Sequence, residues 1–455
     1  MEKKLASVLT CGVLAMGLVG CGSEEKTATN STPKNEVKTE EAVKDATVIR
    51  GTGAPRLTSA PPMIPLEKGK ATLKVNVKGA DKSKEFSASV IKHLEQGGSA
   101  TSIADVSRKG NLPDSESFDV PSQGNYDINL SSDDDFKGDW EVVIEQKQKK
   151  DKEYDQQLRL TSITQQIGGE FPSSISPKNG YGSVMSNLTI TDKNAISFQS
   201  VKEGNFVVTE MKNGKWTTVE KVTGKTEDER NKVLYPNTKA NHLRNVTTTK
   251  GPGELLSYDG KHYIVLEEVN ASPVDVTIPD ELSTLLNKND LKDVYWDFDN
   301  KIVYTLLIDR SSNEKSKSML YRYDLQKQKL ISNGDGKQTT TVPFNPSSER
   351  MRFTSDKKGN LYIASLTGTD SSGNNTNGVN PYAVTVVVFN KDMKMITKPT
   401  IVNAIYDYYG KGRFEIAATD KGLDIWNVYD ARLVNGSNSA EPLTVGANRF
   451  SLTLE

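Results

Sequence analysis

Asp356-Lys357-Lys358-Gly359-Asn360-Leu361-Tyr362-Ile363-Ala364 is a polar turn that runs straight into an apolar strand carrying an aromatic residue. Asp, Gly and Asn suit a tight turn, and Leu-Tyr-Ile suits a half-buried pleated strand. Poorer copies of the pattern are Lys202-Glu203-Gly204-Asn205-Phe206-Val207-Val208, Asp259-Gly260-Lys261-His262-Tyr263-Ile264-Val265, Asp299-Asn300-Lys301-Ile302-Val303-Tyr304 and Asp420-Lys421-Gly422-Leu423-Asp424-Ile425-Trp426. Hairpins follow several of them. Leu320-Tyr321-Arg322-Tyr323-Asp324-Leu325 returns as Leu330-Ile331, and Val386-Val387-Val388-Phe389 returns as Met395-Ile396. Residues 206–211 turn at Asn213-Gly214 into Trp216-Thr217-Thr218-Val219, and Asn-Gly is the strongest short hairpin signal. A turn, strand and hairpin repeated over residues 166–455 predicts an all-β domain made of small antiparallel sheets.

The Asp-x-x-Gly-x-Leu-Tyr form of the best copy resembles the blade strands of the broad β-propeller superfamily. The resemblance implies a β-propeller-like domain over 166–455, with six or so blades fitting the length. The copies are irregularly spaced, from roughly 40 residues to a little over 60, whereas a blade takes typically ~40–50. The excess falls in insertions: residues 226–243, expected to be partly helical; residues 279–286, where Pro and acids suit a first helical turn; and a Gly/Asn/Ser loop at 369–380. Tandem β-sandwiches are the alternative reading of the same runs.

Residues 66–165 read as a separate β-sandwich. Thr72-Leu73-Lys74-Val75-Asn76-Val77-Lys78 alternates with period two. Phe86-Ser87-Ala88-Ser89-Val90-Ile91, Tyr126-Asp127-Ile128-Asn129-Leu130, Trp140-Glu141-Val142-Val143-Ile144 and Leu158-Arg159-Leu160-Thr161 are further strands. Gly138-Asp139-Trp140-Glu141-Val142 resembles the closing strand of jelly-roll and pre-peptidase-type accessory sandwiches, and Gly124-Asn125-Tyr126-Asp127-Ile128 resembles the strand before it. In those families such domains bind or space; they do not catalyse.

The N-terminus carries Met1-Glu2-Lys3-Lys4, then an uncharged apolar run from Leu5 to Gly20, too short for a stable span of ~20 residues. Residues 1–20 therefore read as a signal peptide. Leu18-Val19-Gly20-Cys21 resembles the bacterial lipobox. The resemblance implies that Cys21 is lipidated on sulfur and cleaved to become the new N-terminus, holding the chain to the extracytoplasmic face of the cell membrane. Two or more acyl chains give a stable anchor. Residues 21–65 read as the lipidated Cys and a disordered tether, poor in large apolar residues and stiffened by Pro55, Pro61, Pro62 and Pro65.

Composition removes several function classes. Lys plus Arg is 58 and Asp plus Glu is 59, so no basic excess marks a nucleic-acid partner. Both cysteines, Cys11 and Cys21, lie in the leader and lipobox, leaving no thiolate chemistry for the folded part. His93, His242 and His262 lie apart, without zinc-ligand spacing or a Ser-His-Asp setting. Asp133-Asp134-Asp135 with Asp139 could hold Ca²⁺ but lacks EF-hand spacing; it reads as a solvated loop, as Asp297-Phe298-Asp299 reads as a strand-turn. No metal, cofactor or catalytic residue is therefore assigned. Sialidase-type Asp boxes are only partial at Ser355-Asp356-Lys357-Lys358-Gly359 and Ser257-Tyr258-Asp259-Gly260, and the quinoprotein docking motif is absent. Paired carboxylates for glycoside hydrolysis can come from distant strands, and sequence does not select two among so many acids.

Tyr406-Asp407-Tyr408-Tyr409-Gly410-Lys411-Gly412-Arg413 is the one aromatic cluster that reads as exposed. Tyr406, Tyr408, Tyr409 and Arg413 are its candidate binding residues, for a sugar ring or a protein partner. The whole reads as a non-enzymatic lipoprotein that presents a binding or scaffold module to a protein or cell-wall polysaccharide. A propeller hydrolase of glycans or lactones and an envelope assembly factor are the alternatives.

Overall fold

The structure is a computed structural model of the chain. It describes residues 45–55, 62–92, 101–109, 114–147, 152–170, 187–192, 195–202, 205–212, 215–222, 240–266, 273–309, 317–343, 351–369, 380–407, 413–430 and 444–455. All of these belong to the compact unit Val43–Glu455. The fold is all-β, an N-terminal β-sandwich followed by a propeller-like ring of sheets.

The sandwich uses β1 (Ala46–Thr52), β2 (Met63–Leu66), β3 (Gly69–Lys78), β4 (Glu85–Lys92), β5 (Ser102–Lys109), β6 (Asp114–Val120), β7 (Gly124–Ser132) and β8 (Asp139–Glu145). One face runs β1-β8-β3-β6 and the other β2-β7-β4-β5. Alternation along β3 buries Leu73, Val75 and Val77 between the faces, where Phe86 meets Trp140 at 5.4 Å between ring centroids. Trp140 donates its indole N–H to the Gly53 carbonyl at 2.9 Å. Its ring fills the space a side chain at position 51 would need, so glycine is required there.

The tether expected over 21–65 does not extend through its last third. β1 and β2 lie inside it, and β1 pairs antiparallel with β8 and parallel with the later strand β9 (Leu158–Glu170). The polar average of the stretch hid Thr47-Val48-Ile49, a β-branched run whose Ile49 is wholly buried.

The remaining strands group, among the described residues, into five blade-like sets, of which the second and third join through parallel pairing of their first strands into one nine-stranded sheet. Blade 1 is β10 (Asn187–Asp192), β11 (Ala195–Lys202), β12 (Asn205–Lys212) and β13 (Lys215–Val222). Blade 2 is β14 (Asn241–Thr248), β15 (Gly251–Tyr258), β16 (Lys261–Leu266) and β17 (Val274–Val276). Blade 3 is β18 (Leu291–Asp297), β19 (Ile302–Asp309), β20 (Lys317–Asp324), β21 (Lys329–Leu330) and β22 (Thr339–Val342). Blade 4 is β23 (Met351–Ser355), β24 (Leu361–Thr369), β25 (Asn380–Phe389) and β26 (Thr400–Asp407). Blade 5 is β27 (Arg413–Thr419), β28 (Gly422–Asp430) and β29 (Thr444–Leu454), completed on its outer edge by β9.

The first strands touch in ring order: β14 meets β18, β18 meets β23, β23 meets β27, and β27 also meets β10 of blade 1. A helix, α1 (Asp280–Leu286), links blades 2 and 3 where the Pro and acids predict it, burying Leu282, Leu285 and Leu286. Residues 226–239 of the other expected helical insertion lie outside the described residues, and β14 occupies 241–248.

Five blade-like sets stand among the described residues where six or so blades were expected, and the repeat turns fall at different places within them. The turns at Asp297, Asp356 and Asp420 join first to second strands in blades 3, 4 and 5. The copies at 202 and 259 instead join second to third strands in blades 1 and 2. One turn chemistry serves two kinds of hairpin, so the apparent spacing is irregular.

The 165/166 boundary between the two expected domains falls within β9. The sheet β27-β28-β29-β9-β1-β8-β3-β6 passes from blade 5 into the sandwich without a break. A single apolar core unites Ile49, Leu73 and Trp140 with Tyr362, Val386, Ile425 and Phe450.

Candidate functional site

In blades 3, 4 and 5 the repeat turn sets where the first strand stops. Asp356 accepts from the backbone N–H groups of Lys358 and Asn360, each at 2.9 Å, from the Asn360 amide at 2.8 Å and from the Tyr362 hydroxyl at 3.1 Å. Gly359 takes φ +80°, the left-handed region that glycine enters at no steric cost. Asp297 builds a shorter version, accepting from the Asn300 backbone and amide. It is wholly buried rather than a plain strand-turn residue, because it also accepts from Ser355 of the next blade at 2.9 Å.

Counting back from these turns reaches equivalent places on the first strands. Asp293 lies four residues before Asp297, Arg352 four before Asp356, and Glu415 five before Asp420. All three line a cavity of about 620 Å³. Its walls are β14, β18, β23 and β27, with Lys250 and Asp299 contributed by the adjoining turns. The volume lies within the range of roughly 300–1,000 Å³ common to small-molecule sites.

Arg352 bridges these blades. Its Nε donates to Glu415 Oε1 at 2.7 Å, a second nitrogen donates to the Met351 carbonyl at 2.8 Å, and the guanidinium lies 5.5 Å from the centre of the Phe414 ring. The paired side chains are only 18% and 16% exposed, so solvent screens this pair far less than a surface bridge.

Asp293 is half-buried and faces the cavity, accepting from the Val294 N–H at 2.7 Å. Lost hydration pushes its pKa from 3.8 up to about 7; that hydrogen bond and the Arg352 and Arg244 charges pull the other way without cancelling it. Arg244 itself donates to the Leu286 and Leu291 carbonyls. At neutral pH the cavity thus carries a carboxyl poised between acid and carboxylate beside a carboxylate fixed by a guanidinium.

Of the residues that sequence proposed, Cys21, Tyr408 and Tyr409 lie outside the described residues. Tyr406 stands on β26 opposite Pro381, and Arg413 opens β27 opposite Val428, two residues before Glu415. In the acidic loop, Asp133 accepts from the Glu85 N–H, Asp135 pairs with Lys84 at 2.7 Å, and Asp139 accepts from Thr52. His242 bonds Asn245 and His262 pairs with Val276 on the neighbouring strand, while His93 lies outside the described residues. Among the described residues no three His, Cys, Asp or Glu side chains are grouped to hold a metal ion.

Asp293, Arg352 and Glu415 escape a reading of the sequence alone. A polar residue facing a channel and one facing solvent look alike in an alternating strand. Asp293 and Arg352 share an offset of four residues from their turn Asp, but Glu415 lies five before its own, so the offset does not select all three.

No family model and no curated protein matches the chain. Among solved structures, it is similar to a GH43_1 enzyme from Xanthomonas citri complexed with xylose (9% identity, 62% of this chain and 88% of that chain, TM-score 0.29). It is also similar to the GH62 α-L-arabinofuranosidase catalytic domain of Coprinopsis cinerea (8%, 63% and 96%, TM-score 0.28). A DUF4221 family member from Bacteroides vulgatus aligns at 7% identity over 66% of this chain and 99% of that one, with a TM-score of 0.27. Superposition this loose assigns no activity.

Proposed function

We propose that the protein is an extracytoplasmic lipoprotein, anchored through Cys21, whose propeller channel binds a glycan of the cell envelope. The observation that carries the binding reading is the convergence of Asp293, Arg352 and Glu415, from three successive blades, on one cavity. A sugar hydroxyl both donates and accepts, so a guanidinium beside a carboxylate can serve two neighbouring hydroxyls at once. Tyr406 on β26, Arg413 at the start of β27, and Tyr408 and Tyr409 between them in sequence are candidates for a second contact in this reading.

Co-sedimentation of the full chain with isolated envelope glycan tests it. Saturable binding should weaken at least tenfold in an Arg352→Gln/Glu415→Gln double variant, which removes both charges and keeps polar groups in place. Unchanged binding by a folded double variant would place the ligand elsewhere. For the anchor, a fatty-acid label should appear on the wild type and vanish in Cys21→Ala, which should leave the membrane fraction; a labelled Cys21→Ala protein would refute it.

One observation favours hydrolysis as a second reading. One cavity lined both by a carboxyl with pKa pushed up to about 7 and by a salt-bridged carboxylate offers a way to divide acid and base roles between two acids. Turnover of aryl glycosides that Asp293→Asn abolishes would move the assignment from reader to enzyme.

A further inference from the structure

The charges around the cavity are unequal in availability. Its carboxyl groups are Asp293 on β18, Asp299 in the turn after it, and Glu415 on β27; its cations are Arg352 on β23 and Lys250 in the β14–β15 turn. The cations differ: Arg352 is held by hydrogen bonds, and Lys250 is exposed. Arg352 is held by Glu415, the Met351 carbonyl and the Phe414 ring, and Lys250 lies 5.5 Å from the centre of the Phe298 ring. Arg244 on β14, the other charge acting on Asp293, points its donors at the Leu286 and Leu291 carbonyls. Asp293 holds a hydrogen bond from its own neighbour's N–H. An anionic ligand would meet three carboxyl groups against two cations, one of them, Arg352, already paired with Glu415. A ligand ammonium would give Asp293 a charged donor of its own.

Resting on the glycan reading above, we propose that the cavity takes an amino sugar with a free amine, the ammonium being held by Asp293 while Asp299 adds negative charge elsewhere on the lining. Burial sharpens the selection, because a carboxylate that water solvates poorly gains more from an ammonium than an exposed one does. N-Acetylation replaces that ammonium with a neutral amide. Uronate and phosphate add a charge of the wrong sign.

Calorimetric titration of the full chain with a glucosamine trimer and an N-acetylglucosamine trimer at neutral pH separates the cases. The free-amine trimer should bind about tenfold tighter, in line with a charge-assisted hydrogen bond, and the ratio should fall toward one in Asp293→Asn. If that variant fails to fold, Asp299→Asn, altered at an exposed turn residue, should lower the ratio in the same direction. Equal affinities, or tighter binding of the acetylated trimer, would overturn the amine assignment and leave the glycan reading standing. Binding of neither trimer would also overturn it, and co-sedimentation with whole envelope glycan would then decide the broader reading separately.

Discussion

Asp356 gathers four donors onto one carboxylate, which makes its copy of the repeat the most regular turn. Asp356→Ala should destabilise the protein by about 2–4 kcal/mol, since it strands a turn and the hydroxyl of the wholly buried Tyr362. Asp356→Asn, which keeps one acceptor oxygen, should cost clearly less; denaturant midpoints compare the two. Asp293 behaves oppositely. Its carboxyl is raised in the fold, so stability it does not disturb below 3.8 is lost as pH climbs to about 7 and stays lost above. Asp293→Asn should therefore be stabilising at pH 8, by about 2 kcal/mol after discounting for the solvent the cavity admits, and nearly neutral near pH 4. An equal effect at both pH values would show that burial does not shift this group. The turn Asp was legible because it hydrogen-bonds locally, within six residues of itself. Arg352 and Glu415 were not, because they meet across 63 residues of chain.

β1 and β9 are the elements on which the architecture turns. β9 closes blade 5 against β29 and carries β1 on its other edge, while β1 also pairs along its length with β8. A chain begun at residue 66, as the composition of the tether would suggest, lacks β1 and opens both partners. It should lose at least ~5 kcal/mol, from a buried Ile and a ladder of backbone hydrogen bonds. A shortened chain as stable as the full one would contradict this placement. Alternation made β3, β4, β7 and β8 readable, and Pro with acids made α1 readable. The partner of β9 was not readable, because β29 lies almost at the other end of the sequence and nothing local encodes that pairing.

At the scale of the molecule, the all-β class followed from turn chemistry and period-two runs, and the 165/166 boundary falls inside β9, in a sheet that sandwich and blade 5 share. The sandwich and blade 5 bury one core, and Arg159 ties Asp45 to Glu455 at 3.3 and 3.4 Å. Thermal unfolding should show sandwich and propeller melting in one transition; two resolved calorimetric peaks would indicate independent domains. In the proposed reading, function at this scale rests on the cavity, where three blades bring together what sequence keeps apart. The most direct measurement is amide hydrogen exchange on the full chain, with and without the envelope glycan it sediments with. Protection should concentrate on β18, β23 and β27 around Asp293, Arg352 and Glu415. Protection confined to the sandwich or to residues 406–413, with the channel strands unchanged, would contradict the assignment of the channel as the binding site.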